Sequence, residues 1–132
     1  MTKIANLRAA AFHHQRGLCF YCGLPMIPPG AVDQFAAKLS LSPKAALGVT
    51  ATAEHLHAQC DGGRDTAENI AAAHLVCNQR RHRMRPAPDP VRYAATVRAR
   101  AAKGLWLDKA LRQRLDAAEV THHLKAMGST PT

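Results

Sequence analysis

Within the 29 residues from Glu54 to His82 the chain places four acids, four imidazoles, four carboxamides and two thiols, and the charge turns to arginine where that run ends. Side chains of these types hold metal ions and move protons. Asn78 and His82 are four apart, so on a helix they stack on one face and can share an ion. Cys77 lies one step, about 100°, around the same helix. A metal bound by Cys77 is therefore a different metal. The pattern predicts two metal sites on two walls of one helix.

The first site draws on distant pairs. Cys19 and Cys22 form a C-x2-C, and His74 and Cys77 form an H-x2-C, with 51 residues between them. Two chelating pairs on separate segments mark a closed tetrahedral Zn²⁺. Gly23, after the second thiolate, suits a zinc knuckle, because it lets backbone amides turn toward sulfur. Two other readings stand beside this one. The thiols and His74 could be unrelated, or Cys60 could replace His74 in an all-cysteine set, although Cys60 has no partner at x2 spacing.

The second site needs oxygen and nitrogen donors with open positions, as a hydrolytic metal requires. Glu54 offers an anionic oxygen, Asn78 a neutral one and His82 an imidazole nitrogen. His55 is then left as a general base for the attacking water, since a histidine titrates near neutral pH without special tuning. An adjacent Glu and His are usually no more than solvated side chains. The spacing to Asn69, Asn78 and His82 is what singles this pair out. Neighbours on a flat strand face opposite ways, so the strand is expected to end or kink at Glu54-His55.

The pattern E-H-L…G-G…E-N-I…H-L-x-C-N-x3-H, over roughly residues 17 to 84, resembles the HNH nuclease family, whose shared element is the ββα-metal finger. Its three name positions fall here on His55, Asn69 and Asn78. The resemblance implies that His55 is the base and that Glu54 and Asn78 are metal ligands. It implies that Asn69 braces the hairpin loop, and that His82 is a third ligand or a phosphate contact. Zinc-stapled members carry two C-x2-C pairs, and this chain departs by placing His74 in one of them. Many members also have a proline shortly after the base, where this chain has His57-Ala58-Gln59.

Positioning these residues requires a hairpin and a helix. Val49–Ala53 is β-branched enough for a first strand. Ile70–Ala73 would be the second, although alanine is a poor strand former and that reading leans on the family. The finger helix should run from about Leu75 to Arg83 and end before Pro86. Ahead of the finger, residues 4 to 15 have helical composition, stopped by Gly17, and His13 and His14 read as polar helix residues. Val32, Phe35, Ala36 and Leu39 fall on one face of a short amphipathic helix. Ser42-Pro43 reads as an N-cap with proline at the first helical position, opening a turn that Gly48 closes. After the proline-rich link, Asp89-Pro90 should open a helix to about Lys103. A second helix of about 15 residues carries Leu107, Leu111, Leu115 and Ala118. Residues 128–132 read as a frayed end.

Composition bounds the rest. With 132 residues, aromatics at 5% and alanine supplying much of the apolar 47%, the core is thin, and small domains of this kind recruit metals. No apolar run nears 18 residues and no signal segment opens the chain, so an intracellular (cytoplasmic) protein without membrane contact is expected. Cysteines there read as metal ligands rather than disulfides. The formal charge is +9, and 12 of the 18 basic residues are arginine. Arg80, Arg81, Arg83 and Arg85 cluster at the finger helix, and Arg92, Arg98, Arg100, Arg112 and Arg114 follow. Guanidinium suits phosphate bidentately, so these predict a salt-sensitive phosphate-backbone surface. A solvated basic face, or docking to an acidic protein, is the blander account.

The expectation is thus one α+β domain over 1–132. It is a small zinc-stapled ββα-metal finger (about 17–84) with flanking α-helices at both ends, the C-terminal basic ones at about 89–126. Its expected work is one-metal hydrolysis of DNA phosphodiesters, with RNA open as an alternative. It would use a structural Zn²⁺ and a catalytic divalent ion, Mg²⁺, Mn²⁺, Ni²⁺ or Zn²⁺. The chief rival is a zinc-containing module that binds nucleic acid without cutting it. Nothing in the spacing speaks to oligomeric state.

Overall fold

A computed structural model describes residues 2–116. The fold is α+β, with helices around a two-stranded antiparallel hairpin. Helix α1 (Lys3–His14) opens on Thr2, whose hydroxyl accepts from Ala5 N at 3.1 Å. It ends where Arg16 and Gly17 turn left-handed. Helix α2 (Val32–Leu39) buries Phe35 and Leu39. In α3 (Pro43–Gly48) the Ser42 hydroxyl caps Ala45 N, with proline at the start, as the side-chain chemistry of those two residues dictates.

Strands β1 (Ala51–His55) and β2 (Ile70–His74) pair in the register Ala51↔His74 through His55↔Ile70. The first strand therefore starts two residues later than its composition suggests and runs on through both Glu54 and His55. It ends there, at His55, as expected for that pair. Every residue of β2 is buried. Alanine is used there because neighbours crowd it: the backbone of Phe20 donates to Ala72 O at 3.0 Å. On α1, the Gln15 amide donates to Ala72 O at 2.8 Å and accepts from Ala72 N at 2.9 Å. The side chain completes the strand's hydrogen bonding as a third strand would. Close packing overrides intrinsic propensity here.

Helix α4 (Leu75–Arg83) follows β2 without a break. Then α5 (Pro90–Ala102) is capped by Asp89 through Arg92 N at 3.0 Å. A short α6 (Lys109–Leu115) is capped by Asp108. Its expected continuation through Ala118, and residues 128–132, lie outside the described residues. Two apolar clusters form the core. One joins Phe12, Tyr21, Met26, Tyr93 and Val97 to the buried cysteines, and the other joins Ile27, Phe35, Leu39, Val49, Leu107 and Leu115. Trp106 and Val76 pack against both. Among the described residues no helix is long and apolar enough to cross a membrane.

Several arginines expected on the basic surface instead fasten elements together. Arg98 donates to Phe20 O at 2.9 Å, Arg112 to Leu107 O at 3.1 Å, and Arg114 to Leu39 O at 2.8 Å. Carbonyls left over at helix and loop ends take the donors that this many guanidiniums supply.

Candidate functional site

The first site is a Cys3His cluster. One ligand atom each from Cys19, Cys22, His74 and Cys77 lies within 4.8 Å of the others, and all four residues are buried. The knuckle presents the first two by closing on itself: Cys19 N donates to Leu24 O and Gly23 N to Cys19 O, each at 2.9 Å. The positive φ at Gly23 permits that turn. His74 ends β2 and Cys77 sits in the first turn of α4, where the helix N-terminus favours a thiolate.

The spacing suits a tetrahedral ion. Zinc–ligand bonds of about 2.3 Å to sulfur and 2.05 Å to nitrogen put S and N about 3.6 Å apart. His74 Nδ1 stands 3.2 Å from Cys22 Sγ and 3.7 Å from Cys77 Sγ. The other ring nitrogen meets Pro25 O at 2.8 Å. As an N–H donor to that carbonyl, Nε2 leaves Nδ1 to the metal. Cys60 lies exposed in the short turn Gln59–Asp61 and is no part of the cluster, so the all-cysteine alternative falls away. Trp106 adds something that spacing did not reveal, an indole N–H donated to Cys77 Sγ at 3.2 Å.

Without metal, the cluster's charges are mutually dependent. Burial opposes ionisation of Cys19, but hydrogen bonds from Cys22, Cys77 and His74 outweigh it and hold that thiol well below its ordinary value. Burial likewise disfavours a charged His74, yet the facing Cys19 and Cys22 sulfurs raise it to about 10. Cys77 is driven strongly upward, first by its bonds to Cys19 and Cys22 and then by burial.

The second site lies between β1 and α4. Glu54 is 2% exposed, and its carboxylate is fully engaged. Oε2 accepts from Tyr21 OH at 2.8 Å and from Arg81 Nη1 at 3.2 Å, while Oε1 lies 2.9 Å from His82 Nε2. A carboxylate this deep needs such compensation. Burial, and next the Glu54 charge, push the Tyr21 hydroxyl far above its usual range, keeping it a donor. One turn before His82, Asn78 directs Nδ2 at Thr52 Oγ1 (3.4 Å) and Ala53 O (3.5 Å), so Oδ1 is the atom it could offer to a metal. Two donors at right angles on an ion with 2.0–2.1 Å bonds stand about 2.9 Å apart. The Glu54–His82 separation fits that figure.

His55, the next residue along β1, turns elsewhere. Its Nε2 meets Asp65 Oδ1 at 2.7 Å, in the loop between the strands. Asn69 spans that loop: Oδ1 accepts from His57 N at 2.7 Å, and Nδ2 donates to His57 O at 3.1 Å and Arg64 O at 2.9 Å. Gly63 is needed for a different reason. A Cβ there would stand 1.8 Å from His57 O. Gly63→Ala is therefore expected to displace the loop at a cost of about 1–3 kcal/mol, read as faster amide exchange at His57 with the Cys3His cluster intact. Unchanged exchange would show that the loop tolerates the methyl.

The four arginines of the finger helix separate by environment. Arg81 is 3% exposed and donates to Glu54, His55 O, Leu56 O and Pro88 O. Its place in the ligand helix, facing the buried carboxylate, commits it inward. Arg80 lies 4.7 Å over the Trp106 ring and donates to Trp106 O. Arg83 and Arg85 are exposed. Asp65 and Tyr21 are the contributors that sequence reasoning missed. Asp65 looked like one more polar loop residue, and the position of Tyr21 inside the C-x2-C was its only signal.

Residues 43–84 match the family model described as HNH endonuclease. That stretch contains His74 and Cys77 but not Cys19 and Cys22. No curated protein and no solved structure matches the chain.

Proposed function

We propose that this chain, whose residues 43–84 carry an HNH endonuclease domain, is a metal-dependent endonuclease acting on DNA. The observation that carries the reading is the meeting of Glu54 Oε1 and His82 Nε2 at 2.9 Å across the β1–α4 groove, with His55 one residue along the strand. Glu54, Asn78 and His82 would hold a divalent ion, whose charge when bound stabilises the phosphoryl transition state and the departing 3′ oxygen. His55 takes a proton from water as the water oxygen bonds to phosphorus and the P–O3′ bond breaks. A 5′-phosphate and a 3′-hydroxyl result. Asn69 keeps the loop closed so that His55 holds its place. Arg80, Arg83 and Arg85 grip neighbouring phosphates, and Arg81 serves by holding Glu54 instead. Glu54 and His55 leave β1 on opposite faces, so the scissile phosphate has to lie over the strand's end, within reach of both. The Cys3His cluster would hold Zn²⁺ as a structural staple.

Incubating supercoiled plasmid with Mg²⁺, Mn²⁺, Ni²⁺ or Zn²⁺ tests the reading. Nicked and linear products should appear with at least one metal, vanish with chelator, and diminish steeply between 50 and 200 mM salt, a range over which about six phosphate contacts cost roughly 10³-fold in affinity. A second reading draws on the saturation of Glu54 by Tyr21, Arg81 and His82. In that reading Glu54 is a structural carboxylate in a zinc module that binds nucleic acid without cutting. Plasmid bound in a salt-dependent way but left supercoiled under every metal would favour it.

A further inference from the structure

We propose that Asp65 is a positioning residue for His55, fixing the tautomer and facing of the ring. The proposal rests on the nuclease reading above. An ionised carboxylate accepts hydrogen bonds and cannot donate one. At 2.7 Å from Asp65 Oδ1, His55 Nε2 is therefore the nitrogen that carries the proton. Nδ1 is left with its lone pair, and the base of the reaction is assigned to that atom. The proton taken from water goes to Nδ1, the Nε2–H stays with Asp65, and the imidazolium so formed stands against a negative charge.

The loop around Asp65 is built to hold it. Arg64 O, on one side, accepts from Asn69 Nδ2, and Thr66 O, on the other, accepts from the backbone of Asn69 and Ile70 at 3.0 and 3.1 Å. Gly63 N is bound to Ala58 O at 2.9 Å. The carboxylate is thus aimed by backbone bonds on both flanks, while its own side chain is 36% exposed and that of His55 is 17% exposed. A single hydrogen bond between side chains this accessible to water contributes little net stability. A merely structural role would leave almost nothing to see on removing Asp65, whereas a positioning role predicts a loss in rate alone.

The test uses Asp65→Ala and Asp65→Asn in the full chain, with steady-state plasmid cleavage and the ¹⁵N shifts of the His55 ring at a pH where the ring is neutral. Both variants are expected to lower kcat by about 10- to 100-fold, as loss of a supporting partner does, with KM and zinc content unchanged. Asn keeps the size of the side chain but can also donate, so it no longer selects one tautomer. The ring should read as Nε2–H in the wild type and as a mixture in both variants. Wild-type kcat in Asp65→Ala, a change confined to KM, or an unaltered tautomer would each overturn the proposal. A wild-type protein that leaves plasmid intact would sink the nuclease reading instead. The ¹⁵N comparison would then decide alone whether Asp65 sets the ring.

Discussion

His55→Ala is expected to lower the rate of plasmid cleavage by about 10²- to 10⁴-fold, the usual worth of a positioned general base, while leaving zinc content and DNA affinity at wild-type values. The separation of effects follows from where His55 sits. Its ring bonds to Asp65 in the loop rather than to the Cys3His cluster or to Glu54, and its backbone stays paired with Ile70 whatever the side chain. Removing the ring therefore leaves the Cys3His cluster, and the proposed donors Glu54, Asn78 and His82, all in place. The measurement is single-turnover cleavage at saturating protein, beside zinc content and a salt titration of DNA binding. Cleavage at the wild-type rate would remove His55 as the base. Lost DNA binding would instead make it a phosphate contact.

Local chemistry was the readable part of this fold. The bounds of α2 and α3 follow from an apolar stripe and from Ser42-Pro43, since caps and periodicity act within a few residues. Composition starts β1 two residues early, because Val49 and Thr50 are β-branched. In the structure Thr50 Oγ1 instead bonds Ala46 O at 2.8 Å, closing the end of α3, while Glu54 and His55 take the strand positions their composition disfavours. The Cys3His cluster was legible because two chelating pairs on separate segments are a fairly specific signal. The environment of the second site was not. A run of four arginines reads as one surface, yet Arg81 turns inward to a carboxylate that comes from 27 residues away. Asp65 could not be told from Asp61 in the same loop without knowing which backbone bonds aim it.

Glu54 shows why the two sites belong to one design. Its partner Tyr21 stands between Cys19 and Cys22 in the knuckle, and its partners Arg81 and His82 lie on the helix that carries Cys77. The staple thus joins the two segments whose side chains hold the Glu54 carboxylate. Loss of the staple should be felt first as loss of that grip.

Removing the metal is accordingly expected to unfold the finger. The cluster draws together the knuckle, the end of β2 and the start of α4, and its sulfurs are part of the apolar core with Phe12, Tyr21, Met26, Tyr93 and Val97. Structural zinc contributes apparent binding energies of about 10–16 kcal/mol, as large as the entire stability of an ordinary domain at about 5–15 kcal/mol. Chelation, or Cys77→Ser, should lower the melting midpoint by about 20 °C or more, followed by circular dichroism. Cys60→Ser should leave it unchanged, because Cys60 is exposed and outside the cluster. Acid should act in the same direction. Cys19 is held below its ordinary value in the fold, so its contribution is present above the ordinary thiol pKa and is lost as pH falls through the lowered value. Protons also compete with the metal for every ligand. At pH 7 the metal-free cluster keeps protons on His74, raised to about 10, and on Cys77, raised further. Zinc uptake should therefore release at least the two protons of His74 and Cys77 per ion, which calorimetry in buffers of different ionisation enthalpy would count. An unchanged midpoint in chelator, or uptake without proton release, would show that these four residues do not staple the fold.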